Sequence, residues 1–167
     1  KSFFSYGDKF GDLSDYASYN HLENDSQPQT FYFGGNSNDP TATPVNGGIE
    51  GNDERSNARL WFGDTGVVNT TTDNYKLKLG YGFGEWQSLL NIAYEDRLGA
   101  STSPNTYLRD SSGNPVYSGN VVQDGWAINL PAGRLGVSEQ ERDSLSLGLR
   151  LRGLLSENVN FEANVNQ

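Results

Sequence analysis

The chain has 167 residues, a net charge of −9, 34% hydrophobic residues, 20 glycines and no cysteine or methionine. The acidic balance argues against nucleic acid as a partner, which selects a basic stripe. The missing cysteine excludes disulfides, thiol catalysis and zinc-thiolate sites. So low an apolar content is poor material for a large water-soluble core. It suits a membrane β-barrel, in which only one face of each strand is apolar. No run approaches the roughly 18 apolar residues of a spanning helix. Lys1 opens with neither a basic nor an apolar leader segment. Both ends read as cuts through strands, so an internal fragment of a longer chain is expected.

In chain order, a first hairpin is expected over about 2–24. Ser2 to Tyr6 forms one strand, Gly7 to Asp12 the turn and Leu13 to Glu23 the second strand. Its alternation is poor, because Asp15 shares a parity with Leu13, Ala17 and Tyr19. A long polar connection follows, about 25–72, with short strands at Thr30–Phe33 and Ala58–Phe62.

The clearest pattern is the hairpin at about 73–97. Tyr75, Leu77, Leu79, Tyr81 and Phe83 alternate with Lys76, Lys78, Gly80 and Gly82. After Gly84-Glu85, Trp86, Leu90, Ile92 and Tyr94 continue the apolar face, with Ser88 interrupting it. Period two puts one set on each face of a strand. A second polar connection spans about 98–141. Within it, Tyr107–Arg109 and Val116–Tyr117 are placed to pair around Asp110–Asn114. The last hairpin, about 142–167, sets Leu145, Leu147, Leu149 and Leu151 against Ser146, Gly148, Arg150 and Arg152. Its return strand sets Val159, Phe161, Ala163 and Val165 against asparagines and Glu162.

Short turns on one side and long loops on the other match the periplasmic turns and extracellular loops of outer-membrane barrels. The expected fold class is therefore all-β: antiparallel up-and-down strands forming part of a transmembrane β-barrel. The leucine and aromatic set (Tyr75 through Tyr94 and Leu145 through Leu151) then faces lipid. Lys76, Lys78, Arg150 and Arg152 face the lumen, since each costs about 2–4 kcal/mol at the bilayer midplane. Six strands fall short of the roughly eight that close the smallest barrels, so further strands of a parent barrel are expected partners.

The stretches Ser5-Tyr6-Gly7, Tyr16-Ala17-Ser18-Tyr19, Asp73 to Tyr81 and Ala93 to Arg97, with the loop Asp110 to Tyr117, resemble the barrel half of TonB-dependent receptors. The resemblance rests on layout and residue style across most of the chain, without a diagnostic motif. It implies a barrel of about 22 strands with a plug in its lumen, set in the bacterial outer membrane. It also implies import of a siderophore, vitamin or glycan driven through TonB, with outer-membrane lipid and a small nutrient ligand as partners. No plug is present in these 167 residues. The same wall fits a passive porin-like channel, with its lumen cations favouring anions. A secreted β-sandwich binding carbohydrate is a third reading.

No enzyme constellation or cofactor motif is present. His21 is the sole histidine. Glu95 and Asp96, like Asp53 and Glu54, are strand neighbours pointing to opposite faces. Asn36, Asn38 and Asp39, and Asn52 to Glu54, offer oxygen ligands without the EF-hand spacing. The ligand candidates are therefore loop residues. Phe31, Tyr32, Trp61, Tyr107, Tyr117 and Trp126 offer ring faces, and Arg109 and Arg134 bind anionic groups.

Overall fold

The structure is a computed structural model that describes residues 1–37 and 39–167. It is all-β, with no helix among the described residues. The chain divides into two compact units. The first comprises Lys1–Asn24, Thr70–Leu98 and Gln140–Gln167, the second Asp25–Asn69 and Gly99–Glu139.

The first unit is built on a six-stranded sheet in the order β1 (Ser2–Phe10), β2 (Leu13–Ser26), β8 (Val68–Phe83), β9 (Trp86–Ser101), β13 (Ser138–Ser156) and β14 (Val159–Asn166). Its three hairpins turn through Gly11-Asp12, Gly84-Glu85 and Glu157-Asn158. Gly11 and Gly84 open their turns at φ of 61° and 64°. Positive φ at the first turn residue suits the right-handed twist of the flanking strands and favours glycine.

The first hairpin differs from the sequence expectation. Gly7 stays in β1, opposite Tyr16, and the turn shrinks to two residues. The Tyr16 ring lies against Gly7, where a Cβ would sit 3.3 Å from Cδ2. An aromatic neighbour of this kind covers backbone that a glycine leaves bare. The pairing also sets Asp8 directly opposite Asp15.

The connections are more ordered than their polar composition suggested. The first carries β3 (Phe31–Gly34), β4 (Asn36–Ser37), β5 (Thr43–Pro44), β6 (Ile49–Asn52) and β7 (Ala58–Asp64). The second carries β10 (Asn105–Thr106), β11 (Gly119–Gln123) and β12 (Trp126–Leu130). The two interlock: β7 pairs with β3, β6 and β10, while β12 pairs with β4 and β11, and β11 runs parallel to β5. A shared core of Leu60, Phe62, Leu108, Val121, Ile128, Leu130 and Leu135 closes between them. Leu60 and Leu108 are wholly buried.

Candidate functional site

Ring contacts and registers fix the faces of the six-stranded sheet. Tyr75 lies 5.0 Å from Tyr19 and 6.2 Å from Tyr94. These rings form a row across β2, β8 and β9. Alternation along β9 puts Trp86 on the same face as Tyr94. Trp86 in turn lies 5.8 Å from Phe161 of β14 and covers Gly153 of β13. One face therefore carries Tyr75, Leu77, Leu79, Tyr81, Phe83, Trp86, Leu90, Ile92, Tyr94, Leu145, Leu147, Leu149 and Leu151. Phe4, Ala163 and Val165 join it through the β1–β2 and β13–β14 registers. Much of it is open to the surroundings: Phe4 is 66% exposed, Leu145 58%, Leu149 51% and Val165 68%. Asp8 and Asp15 interrupt it with charge near the first turn.

The opposite face is polar. Gly80 sits beside Ser14, and Gly148 beside Asn91 and Asn166. Arg150 donates to Glu162 at 2.9 Å, and Arg152 donates through Nε to Gln87 at 2.9 Å. Lys76 and Lys78 share this parity. Near the short turns, Gly80 and Gly82 lack side chains and leave a cavity of about 490 Å³ lined by Lys9, Ser14, Gln87, Arg150 and Arg152.

A polar cluster lies on the apolar face just past the tyrosine row. The Tyr19 hydroxyl donates to Asp73 Oδ1 at 2.6 Å, and His21 Nδ1 lies 2.9 Å from the same oxygen. His21 Nε2 lies 3.4 Å from Glu23 Oε1. No residue pattern flagged this cluster in the sequence, because its members come from two strands some fifty positions apart.

In the second unit the loop candidates divide. Trp61 packs between Phe31, at 5.4 Å, and Phe33, edge-on at 4.9 Å. Its indole Nε1 is buried without a hydrogen-bond partner among the described residues. Tyr32 stacks on Phe62, with the Arg134 guanidinium 5.5 Å from its ring centre. Trp126 packs against the core and covers Gly35. Arg109 is turned inward, donating to the Thr106 and Leu108 carbonyls at 2.8 and 3.0 Å. Tyr107 donates to Asp64. Phe31 and Tyr117 remain substantially exposed. Among the described residues the structure spreads the candidates through one folded unit, bringing Phe31 against Trp61 and Arg134 against Tyr32.

Among the described residues no cluster of histidine and carboxylates is arranged to hold a metal. Asn38 lies outside the described residues. Asp39 is engaged by Thr41 at 2.6 Å and by the Asn120 amide. Those donors hold its carboxyl below the usual carboxylate range, the Thr41 hydroxyl foremost. Asp53 is held low likewise, chiefly by the Asn57 backbone N–H and then by its side chain. No family model, no curated protein and no solved structure matches the chain.

Proposed function

We propose that the six-stranded sheet is a stretch of outer-membrane β-barrel wall, with its apolar face toward lipid. The carrying observation is that face: largely exposed, running over β8, β9 and β13 with Ser88 as its one polar break between the aromatic rows, and bounded by aromatic rings at both ends. Tyr19, Tyr75 and Tyr94 stand at one end, and Phe83, Trp86 and Phe161 at the other. Tyr75 and Phe83 are eight positions apart on β8, a rise of about 26 Å. A strand tilt near 40° brings this to about 20 Å, comparable with the apolar band of about 25 Å between aromatic girdles. In water so large an apolar face is a liability. The spanning portions are those between the two aromatic rows. His21, Glu23 and Asp73 lie past the tyrosine row, outside them. The wall requires further strands beyond β1 and β14.

In this reading the second unit is formed by two extracellular loops. The resemblance in residue style supports a receptor of the TonB-dependent type, in which those loops contribute to capture of a scarce nutrient and the polar face meets a plug or water. The exposed rings of Phe31 and Tyr117 are among the contact surfaces the loops offer. No catalytic group is assigned.

The chain has no cysteine, so single replacements report cleanly. Spin labels at Leu79, Ile92 and Leu147, and at Lys78 and Asn91 as controls, are read in outer-membrane vesicles. The expected result is oxygen access with protection from a water-soluble nickel chelate at the first three positions only. Equal access of the chelate to both sets overturns the membrane reading. Planar-bilayer recording of the full parent barrel then separates receptor from channel: a steady anion-selective conductance favours the porin-like reading.

A further inference from the structure

We propose that His21 is a proton-operated clamp across the β2–β8 seam, holding Asp73 and Glu23 together as an imidazolium and only one of them once deprotonated.

A neutral imidazole has one N–H and one bare lone pair, whereas the charged ring has two N–H groups. His21 has a carboxylate near each ring nitrogen: Asp73 Oδ1 at 2.9 Å from Nδ1 and Glu23 Oε1 at 3.4 Å from Nε2. Either neutral tautomer turns a lone pair toward a carboxylate oxygen, which is repulsive. The charged ring serves both. Asp73 is anchored on its own by the Tyr19 hydroxyl, so the carboxylate stays in place while the histidine titrates.

The surrounding groups reinforce this. On β2 the cluster holds Tyr19 and Glu23, and on β8 Asp73 and Tyr75. β1 sets Ser2 opposite His21, with Lys1 adjoining it. Further along the same face lie Tyr94 and Asp96 of β9 and Asp143 of β13, both carboxylates acting on Tyr94. The charges that act on His21 are those of Asp73 and Glu23, both negative and both favouring the protonated ring. The hydrogen bonds to Asp73 and then Glu23 raise the His21 pKa, against a smaller opposing effect of burial. A group whose folded pKa is raised stabilises below its unfolded value, near 6.5, and that stabilisation is lost as pH rises through the folded value. The seam therefore loosens as pH rises through that raised value.

His21 is the only histidine of these 167 residues, so histidine-selective ¹⁵N labelling of the folded parent barrel, with the His21 signal assigned by its loss in His21→Gln, gives its titration by NMR. The expected midpoint lies above 6.5 and falls in Asp73→Asn. Glu23→Gln, which leaves the Tyr19–Asp73 bond intact, lowers it as well and serves if Asp73→Asn fails to fold. Amide exchange at Tyr19 to Glu23, corrected for intrinsic base catalysis, rises across the same midpoint, and that pH-linked rise is lost in His21→Gln. A wild-type midpoint at or below 6.5, a midpoint unmoved by Glu23→Gln, or seam exchange that ignores the titration would each overturn the clamp.

Discussion

Tyr107 donates its hydroxyl to Oδ2 of Asp64, tying the second long connection to the last residue of β7 in the first. Asp64 is 4% exposed and also accepts from the Gly66 backbone N–H at 2.6 Å and the Asn105 amide at 2.8 Å. A buried carboxylate needs such donors, and a hydrogen bond to a charged group contributes about 1.5–3 kcal/mol. Tyr107→Phe is expected to destabilise the second unit by about that amount, read by thermal or urea unfolding.

The same bond predicts an alkaline transition. Burial, then the hydrogen bond and the charge of Asp64, push the Tyr107 pKa up to about 12. The raised value means that its contribution is complete below pH 10 and lost as pH rises through 12. An ultraviolet titration should show Tyr107 among the late-ionising tyrosines, with loss of β-signal from the second unit in step. In Tyr107→Phe the late component shrinks by one tyrosine and the loss of β-signal no longer accompanies it.

Two five-residue loops in the second unit share one geometry. Asp53 Oδ1 accepts from the backbone N–H groups of Arg55 and Asn57, and Asp110 Oδ1 from those of Ser112 and Asn114. Each closing asparagine returns its side-chain amide to the aspartate. The fourth residue is left-handed in both, Ser56 at φ 62° and Gly113 at φ 84°. An L-residue with a Cβ pays about 1–2 kcal/mol there, which glycine avoids. Ser56→Gly is expected to raise stability by up to about 1 kcal/mol, and Gly113→Ala to lower it by a similar amount. A pair of thermal melts checks both signs. The Asn114 side chain, then its backbone N–H, holds the Asp110 carboxyl low. A depressed pKa contributes stability above the unfolded value, so this loop weakens as pH falls below about 4.

These loops also show what was legible in the sequence. The period-two runs around Tyr75–Phe83, Trp86–Tyr94 and Leu145–Leu151 lie within β8, β9 and β13, because a strand with one apolar face writes its pattern locally. The turn at Asp110–Asn114 carried its own turn chemistry. The second unit's sheets did not show, because their pairings join Asn105 to Asp64 and Val121 to Thr43, across tens of residues. Short strands are expected at Thr30–Phe33 and Ala58–Phe62, where β3 and the seven-residue β7 lie; the unit's other strands, of two to five residues, are too short to carry a period. The stacking of Arg134 on Tyr32, and the meeting of His21 with Asp73, likewise exist only after folding.

Gly153 is required by its neighbour. A Cβ built there overlaps the Trp86 indole, which lies across β13 toward Phe161. Gly153→Ala forces the ring off its position, and overpacking of this kind costs about 1–3 kcal/mol. The expected result is a lower melting temperature with a shifted indole emission. Trp86→Leu in the same background should recover part of the loss, since the smaller side chain leaves room for the methyl.

Leu147 and Ser146 are consecutive on β13 and point to opposite faces, so the same substitution at the two positions isolates the environment of each face. Within the membrane reading, Leu147 lies between the aromatic rows, and an arginine near the midplane costs about 2–4 kcal/mol. At about 1.4 kcal/mol per tenfold, that is a loss of roughly 30-fold to 1,000-fold in the folding equilibrium. Ser146→Arg adds the same charge on the face that already carries Arg150 and Arg152, where water solvates it. Folding of the parent barrel into lipid vesicles, followed by its heat-modifiable migration on gels, should therefore fail or slow for Leu147→Arg and proceed for Ser146→Arg. In a water-soluble sheet the two variants would differ little, because Leu147 is already 38% exposed and an arginine there would simply be hydrated. Equal folding of both variants would remove lipid from the description of this face.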